Sequence, residues 1–195
     1  DEELEKAVEE RMREFNRTPQ ETLGGLTPIQ MGSLLYTDWP GPDSPVNVHD
    51  DLPDSEVNQI RFVKNSRLLL TKAREEEGLP VTNAGNLKRT VVSDLLDRME
   101  FNPSLLENRY EFNKVINEQD VAPLHILRVA LEVGDFLELK NGSFHPGSKA
   151  ISLMRPGRAG DFLKELFLTY FKEFNIGYFS RGKDWTEIQD TVAYS

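Results

Sequence analysis

Leu4, Val8, Met12 and Phe15 are spaced by four, four and three residues in an otherwise charged stretch, which predicts an amphipathic helix with one apolar stripe. Acids gather in its first turns, where the helix dipole favours them. Such a stripe has to be covered, by the rest of the chain or by a partner or dimer surface. Two near-copies of one start signal follow, Thr18-Pro19-Gln20-Glu21 and Thr27-Pro28-Ile29-Gln30, with Gly24-Gly25 between them. Each reads as a capping box with proline at the first helical position, so two short helices are expected. The second would carry Met31, Leu34, Leu35 and Tyr36. Residues 37–57 have no period and are rich in Pro, Asp and Ser, which marks a long loop. Trp39, Val46 and Val48 would hold that loop against the body.

A helical period returns at Glu56 with Val57 and Ile60. It continues through Phe62, Val63, Leu68, Leu69, Leu70 and Ala73, and stops at Gly78. Residues 79–82 read as a strand and Asn83-Ala84-Gly85 as a turn. A helix capped by Asn86 would run over 87–99, and Pro103 closes the unit. A linking helix over 104–116 leads to a second apolar helix with Leu124, Leu127, Val129, Leu131 and Val133, stopped at Gly134. Phe136, Leu137 and Leu139 then alternate up to Asn141-Gly142, the strongest hairpin signal in the chain. Phe162, Leu163, Leu166, Phe167, Tyr170, Phe171 and Phe174 stand at helical spacing and read as core.

Two of these stretches can be laid over each other. LLLTKAREEEGLPVTNAGNLKRTVVSDLL and HILRVALEVGDFLELKNGSFHPGSKAISLM both run helix, glycine stop, strand, Asn/Gly turn, helix. Aligned on their glycines, Lys88 and Arg89 fall opposite His145 and Pro146. The order of helix, strand, wing turn, strand and helix resembles the latter half of a winged helix. The expected fold is therefore mainly α with small β-ribbons, as tandem winged-helix-like units preceded by a helical N-terminal segment. An acidic helical segment and loop would occupy 1–55, the first winged-helix-like unit 56–103 and the second 104–160. An aromatic-rich helix and tail would fill 161–195. Winged helices serve protein contacts as well as DNA, so the fold alone does not fix a function.

Charge changes this picture in one respect. The net charge of −10 lies entirely in residues 1–60, which hold 14 acids against 4 bases, whereas residues 61–100 carry 8 bases against 6 acids. Arg61, Lys64, Arg67, Lys72 and Arg74 follow one another with no acid among them, and Lys88 and Arg89 lie at the second helix start. These seven are the candidate nucleic-acid or anion-binding residues. Five cations over 14 residues of helix are spread around it, so some must face away from any one ligand. The absence of cysteine removes disulfides, thiolate metal sites and cysteine nucleophiles, and suits a cytoplasmic setting. No apolar run reaches the length of a membrane span. The chain opens at Asp1 without a methionine, as a processed or trimmed chain would.

Catalytic patterns do not stand out. The glycines of GLPVTNAGNLKR are wrongly spaced for a phosphate-binding loop, and no dinucleotide fingerprint or nucleophile elbow occurs. His49, Asp50, Asp51 and Asp54 crowd one loop, and His125 and His145 lie in the second unit, but neither group has metal-ligand spacing. No cofactor and no metal are expected. Glu118 and Asp120 read as capping residues before a helix.

The strings TPQETLGGLTPIQM (18–31), NSRLLLTKAREEEGLPVTNAGNLKR (65–89), EFNKVINEQDVAPLHILRVALE (111–132) and FNIGYF (174–179) resemble those of a broad family of uncharacterised bacterial proteins. The resemblance implies kinship and supplies no activity, cofactor or catalytic residue to carry over. It also implies that this chain is the N-terminal part of a longer architecture. The expected function is a non-enzymatic interaction or regulatory module that contacts an unknown protein partner or nucleic acid. One alternative is a nucleic-acid binder that uses helix 61–74 with Lys88 and Arg89, the acidic N-terminal segment competing for that surface as a DNA mimic. The other is an enzyme whose site the sequence hides.

Overall fold

The computed structural model describes residues 2–35, 39, 41–46, 51–102 and 116–179. Tyr36, Val48, His49, Asp50, the linking helix up to residue 115 and residues 180–195 lie outside the described residues. The protein is mainly helical with one small antiparallel sheet, and it divides into two compact units, 1–48 with 175–195, and 49–174.

In the first unit, helix α1 (Glu2–Arg17) buries none of its residues. Its stripe is open: Leu4, Val8, Met12 and Phe15 are 70, 53, 57 and 56% exposed. The second of the two start signals forms the expected capping box of α2 (Pro28–Leu35). Thr27 N–H donates to Gln30 Oε1 at 3.0 Å, and Gln30 N–H donates to Thr27 Oγ1 at 3.2 Å. The first signal does not start an α-helix. Because α1 runs through Arg17, the Thr18 hydroxyl is taken by the Glu14 carbonyl (2.7 Å). The chain then makes a single 3₁₀ turn, Glu21–Leu23, before Gly24 and Gly25 enter the left-handed region. Trp39 is buried, its Nε1–H donating to the Leu34 carbonyl at 3.4 Å.

The second unit contains α3 (Asp54–Val57), α4 (Arg61–Glu75), β1 (Leu79–Pro80), α5 (Arg89–Arg98), α6 (Ala122–Val133), β2 (Leu137–Lys140), β3 (Ser143–Pro146), α7 (Ser148–Leu153) and α8 (Ala159–Leu168). Strand β3 is central, with β1 and β2 antiparallel on either side; Leu79 sits opposite Phe144, and Leu137 opposite Pro146. A single apolar core draws on every one of these elements, with Leu69, Leu70, Leu95, Leu124, Leu131, Phe136, Phe144 and Phe162 fully buried. Helix α8 widens into a π turn over Thr169–Glu173. Tyr170 and Phe174 from this segment stack at 5.5 Å, and Tyr170 meets Phe62 edge-on at 5.5 Å.

Helices α4 and α6 end in the same way. Gly78 N–H bonds to the Ala73 carbonyl and Glu77 N–H to that of Arg74; Phe136 N–H bonds to Leu131 and Asp135 N–H to Glu132. Both are Schellman motifs. Their left-handed residues are Glu77 (φ 54°) and Asp135 (φ 58°), so Gly78 corresponds to Phe136, and Gly134 to Glu76. The glycine-on-glycine alignment of the sequence is therefore two residues out. The Asn141-Gly142 hairpin forms as expected, both residues at positive φ. Val129 and Val133 are not core positions of α6, since Ala130 faces inwards and Val133 is 42% exposed. Leu139 is also about half exposed, next to the turn.

The first corner differs from the expected strand, turn and capped helix in one place. Asn86 caps nothing; the chain stays extended to Leu87, which bridges back to Val81, and Lys88 is the N-cap of α5. Lys88 N–H bonds to the Pro80 carbonyl, as Gly147 N–H, at the start of α7, bonds to that of Phe136. By this geometry Lys88 and Arg89 match Gly147 and Ser148, not His145 and Pro146.

Candidate interaction site

The tight turn after β1 is closed by Thr82 N–H to the Asn86 carbonyl (2.7 Å), with Gly85 in the left-handed region. It brings the chain round to the start of α5 beside a 3₁₀ turn, Glu118–Asp120. Between them lies a recess of ≈ 580 Å³, lined by Thr82, Lys88, Arg89, Thr90, Asn117 and Gln119 among others. Its far wall is pre-formed. Asn117 and Asp120 make a reciprocal capping box, and Arg89 Nε donates to Asn117 Oδ1 at 2.9 Å.

Behind that wall stands a buried polar cluster. Glu118, with no exposed surface, accepts the Leu87 N–H on Oε2 (2.5 Å) and the Arg128 Nε–H on Oε1 (2.9 Å), and His125 Nδ1 lies 2.5 Å from the same Oε1. Arg128 also bonds Glu132 (2.5 Å) and lies over the Phe144 ring at 5.2 Å. His125 and Arg128 are 4% and 5% exposed, so neither is placed to read a groove. Of the two acids expected to cap, only Asp120 is in the capping box, and Glu118 instead ties α6 to the first corner. The available signal was His125 and Arg128 on one face of an otherwise apolar helix.

The seven candidate cations do not form one face. Lys72 is buried and bonds Asp94 (2.7 Å) and Glu76 (2.5 Å). Burial alone would lower its pKa, but these two carboxylates hold it above the ordinary lysine value. Arg67 is half-buried, with its guanidinium 5.0 Å from the Phe162 ring centre; its Nε and Nη2 are buried without a hydrogen-bond partner among the described residues. Burial holds its pKa below the ordinary value, against the attraction of Asp54. Asp54 itself is held below the usual carboxylate range by the N–H groups of Gly157 (3.0 Å) and Ala159 (3.2 Å), so α3 caps the start of α8. Lys64 is exposed and paired with Glu100. Arg61 and Arg74 are exposed at opposite ends of α4, about 20 Å apart by helical rise. Only Lys88 and Arg89 are brought together, at the rim of the recess. Among the described residues no group of three or more His, Cys, Asp or Glu side chains is placed to hold a metal ion. No helix among them is long and apolar enough to cross a membrane.

Comparison with curated proteins and with solved structures finds no match. A family model described as the Y4jL N-terminal domain matches residues 58–159, just over half of the chain. That span takes in both helix–ribbon–helix corners, the recess and the buried Glu118 cluster, from the residue after α3 to the first residue of α8. It leaves out α1, α2 and α3. The chain belongs to the Y4jL N-terminal domain family.

Proposed function

We propose that the protein is a non-enzymatic interaction module that engages another protein through the apolar face of α1. The observation that carries this reading is the exposure of all four stripe residues on a 16-residue helix with no buried residue. An isolated helix of that length is marginal in water and gains stability chiefly by packing its apolar face. A contiguous apolar patch of this kind on a folded protein marks a contact surface.

The test is photo-crosslinking from a benzophenone side chain at Val8, in cells making the whole protein, with Glu10 on the opposite side of the helix as control. A discrete adduct from position 8 that is lost on Met12→Glu and absent from position 10 is expected. No adduct from either position overturns the reading.

A second reading, nucleic-acid binding, is favoured by Lys88 and Arg89, which line the recess together with Thr90 of the first turn of α5. The two ribbons would then act as wing-like elements. Lys88→Glu/Arg89→Glu should abolish binding to duplex or single-stranded DNA at about 50 mM salt, since phosphate contacts supply most such affinity. Undetectable binding by the unaltered protein, or affinity unchanged in the double variant, removes this reading.

A further inference from the structure

We infer that the partner seated on α1 is a second copy of this chain, with the two α1 helices antiparallel; this rests on the protein-contact reading above. Three features of the helix favour this occupant. The spacing of four, four and three closes an 11-residue repeat, which is close to three whole turns, so the stripe runs almost straight along the axis. Two such stripes can lie along each other over the whole helix, about 24 Å.

Charge sets the direction. Residues 2–10 hold five acids and one base, and residues 11–17 hold three bases and one acid. A parallel pair sets like against like, whereas an antiparallel pair sets each acidic half against a basic half and opposes the helix dipoles. The side chains also match in size. An antiparallel pair centred on the stripe brings Leu4 to Phe15 and Val8 to Met12, so each layer joins a smaller residue with a larger one. A contact one helix long is at the small end of protein interfaces, so the pair is reversible and depends on concentration.

Sedimentation equilibrium of the whole chain from about 10 μM to about 1 mM is the first measurement. A shift from 22.3 kDa towards twice that mass is expected. Met12→Glu should weaken the association at least tenfold, and Glu10→Gln should leave it within about twofold. Since the chain has no cysteine, a single spin label at Glu2→Cys gives the orientation. The antiparallel pair sets the two labelled backbones about 23 Å apart, and a parallel pair about 10 Å. A monomer across the whole range, or a dimer with the short distance, overturns the inference. In the crosslinking experiment an adduct of twice the chain mass supports it. An adduct of any other mass rejects self-pairing while the protein-contact reading stands, and no adduct rejects both.

Discussion

The two corners of the second unit, α4–β1–α5 and α6–β2–β3–α7, are built to one plan and hold their ribbons by different means. In the second corner the hairpin is self-sufficient. Asn141 and Gly142 make the turn, and β3 satisfies β2 over four residue pairs. In the first corner the ribbon is two residues of strand and one bridge, and the amide of Leu87 has no strand to meet. Glu118, 31 residues on, supplies the acceptor. The helix ends show the same contrast. Position 136 carries a phenylalanine that fills the core, whereas its counterpart Gly78 has φ 126° and lies against β3, where an added Cβ would come within 2.5 Å of the His145 ring. A short ribbon borrows its polar partner and its space from a neighbour, and a long one provides both itself.

The largest expected effect comes from removing the borrowed partner. Glu118→Ala leaves the Leu87 amide without its acceptor and takes the shared carboxylate from the buried Arg128 and His125. A loss of about 3–5 kcal/mol in urea denaturation is expected. Amide exchange should then rise first over residues 79–90 and leave the β2–β3 hairpin protected; equal loss in both corners would show that the difference between them is not real. Gly78→Ala should cost about 1–3 kcal/mol, because it adds strain at a left-handed position and a clash with the His145 ring.

Acid acts on the first corner through the Lys72–Asp94 pair. The bond from Lys72 holds the Asp94 carboxyl below its ordinary value of 3.8, so the unfolded chain takes up this proton first. The stabilisation is complete above about pH 4 and is lost as the pH falls through the depressed folded value. Asp94→Asn should flatten the stability–pH curve below pH 4, as followed by circular dichroism in urea. The smallest effect should be shared by both corners. Glu77→Gly and Asp135→Gly each relieve a left-handed side chain and should stabilise by about 0.5–1 kcal/mol, partly offset by glycine entropy. A gain at one and a loss at the other would break the equivalence of the two helix ends.

Much of this frame was legible in the residues, because its signals are local. Asn141-Gly142 requires two positive φ values in sequence, and Thr27 with Gln30 carries both halves of a capping box. The spans of α4 and α6 followed from their apolar period. What escaped the sequence depends on distant partners. The helix ends are set by six-residue Schellman closure, which accepted Glu77 and Asp135 and left the neighbouring glycines to other duties. Lys88 became an N-cap because Leu87 is held extended by a bridge on one side and a carboxylate on the other. Lys72 looked like one cation among five; two acids and a buried position on α4 turned it inwards. For the candidate site, the pairing of Lys88 with Arg89 could be read, and the dispersal of the other five cations could only be suspected from their angular spread.

The place of β3 between β1 and β2 also sets an order of events in folding. The hairpin joins residues a few positions apart and closes on the microsecond scale, whereas Leu79 meets Phe144 across 65 residues of chain. The first corner therefore has no sheet to dock on until the second exists. During synthesis, although it leaves the ribosome first, its strand β1 must wait without its sheet partner for about 60 residues more. Substitutions in the hairpin should slow folding, and those in β1 should chiefly hasten unfolding.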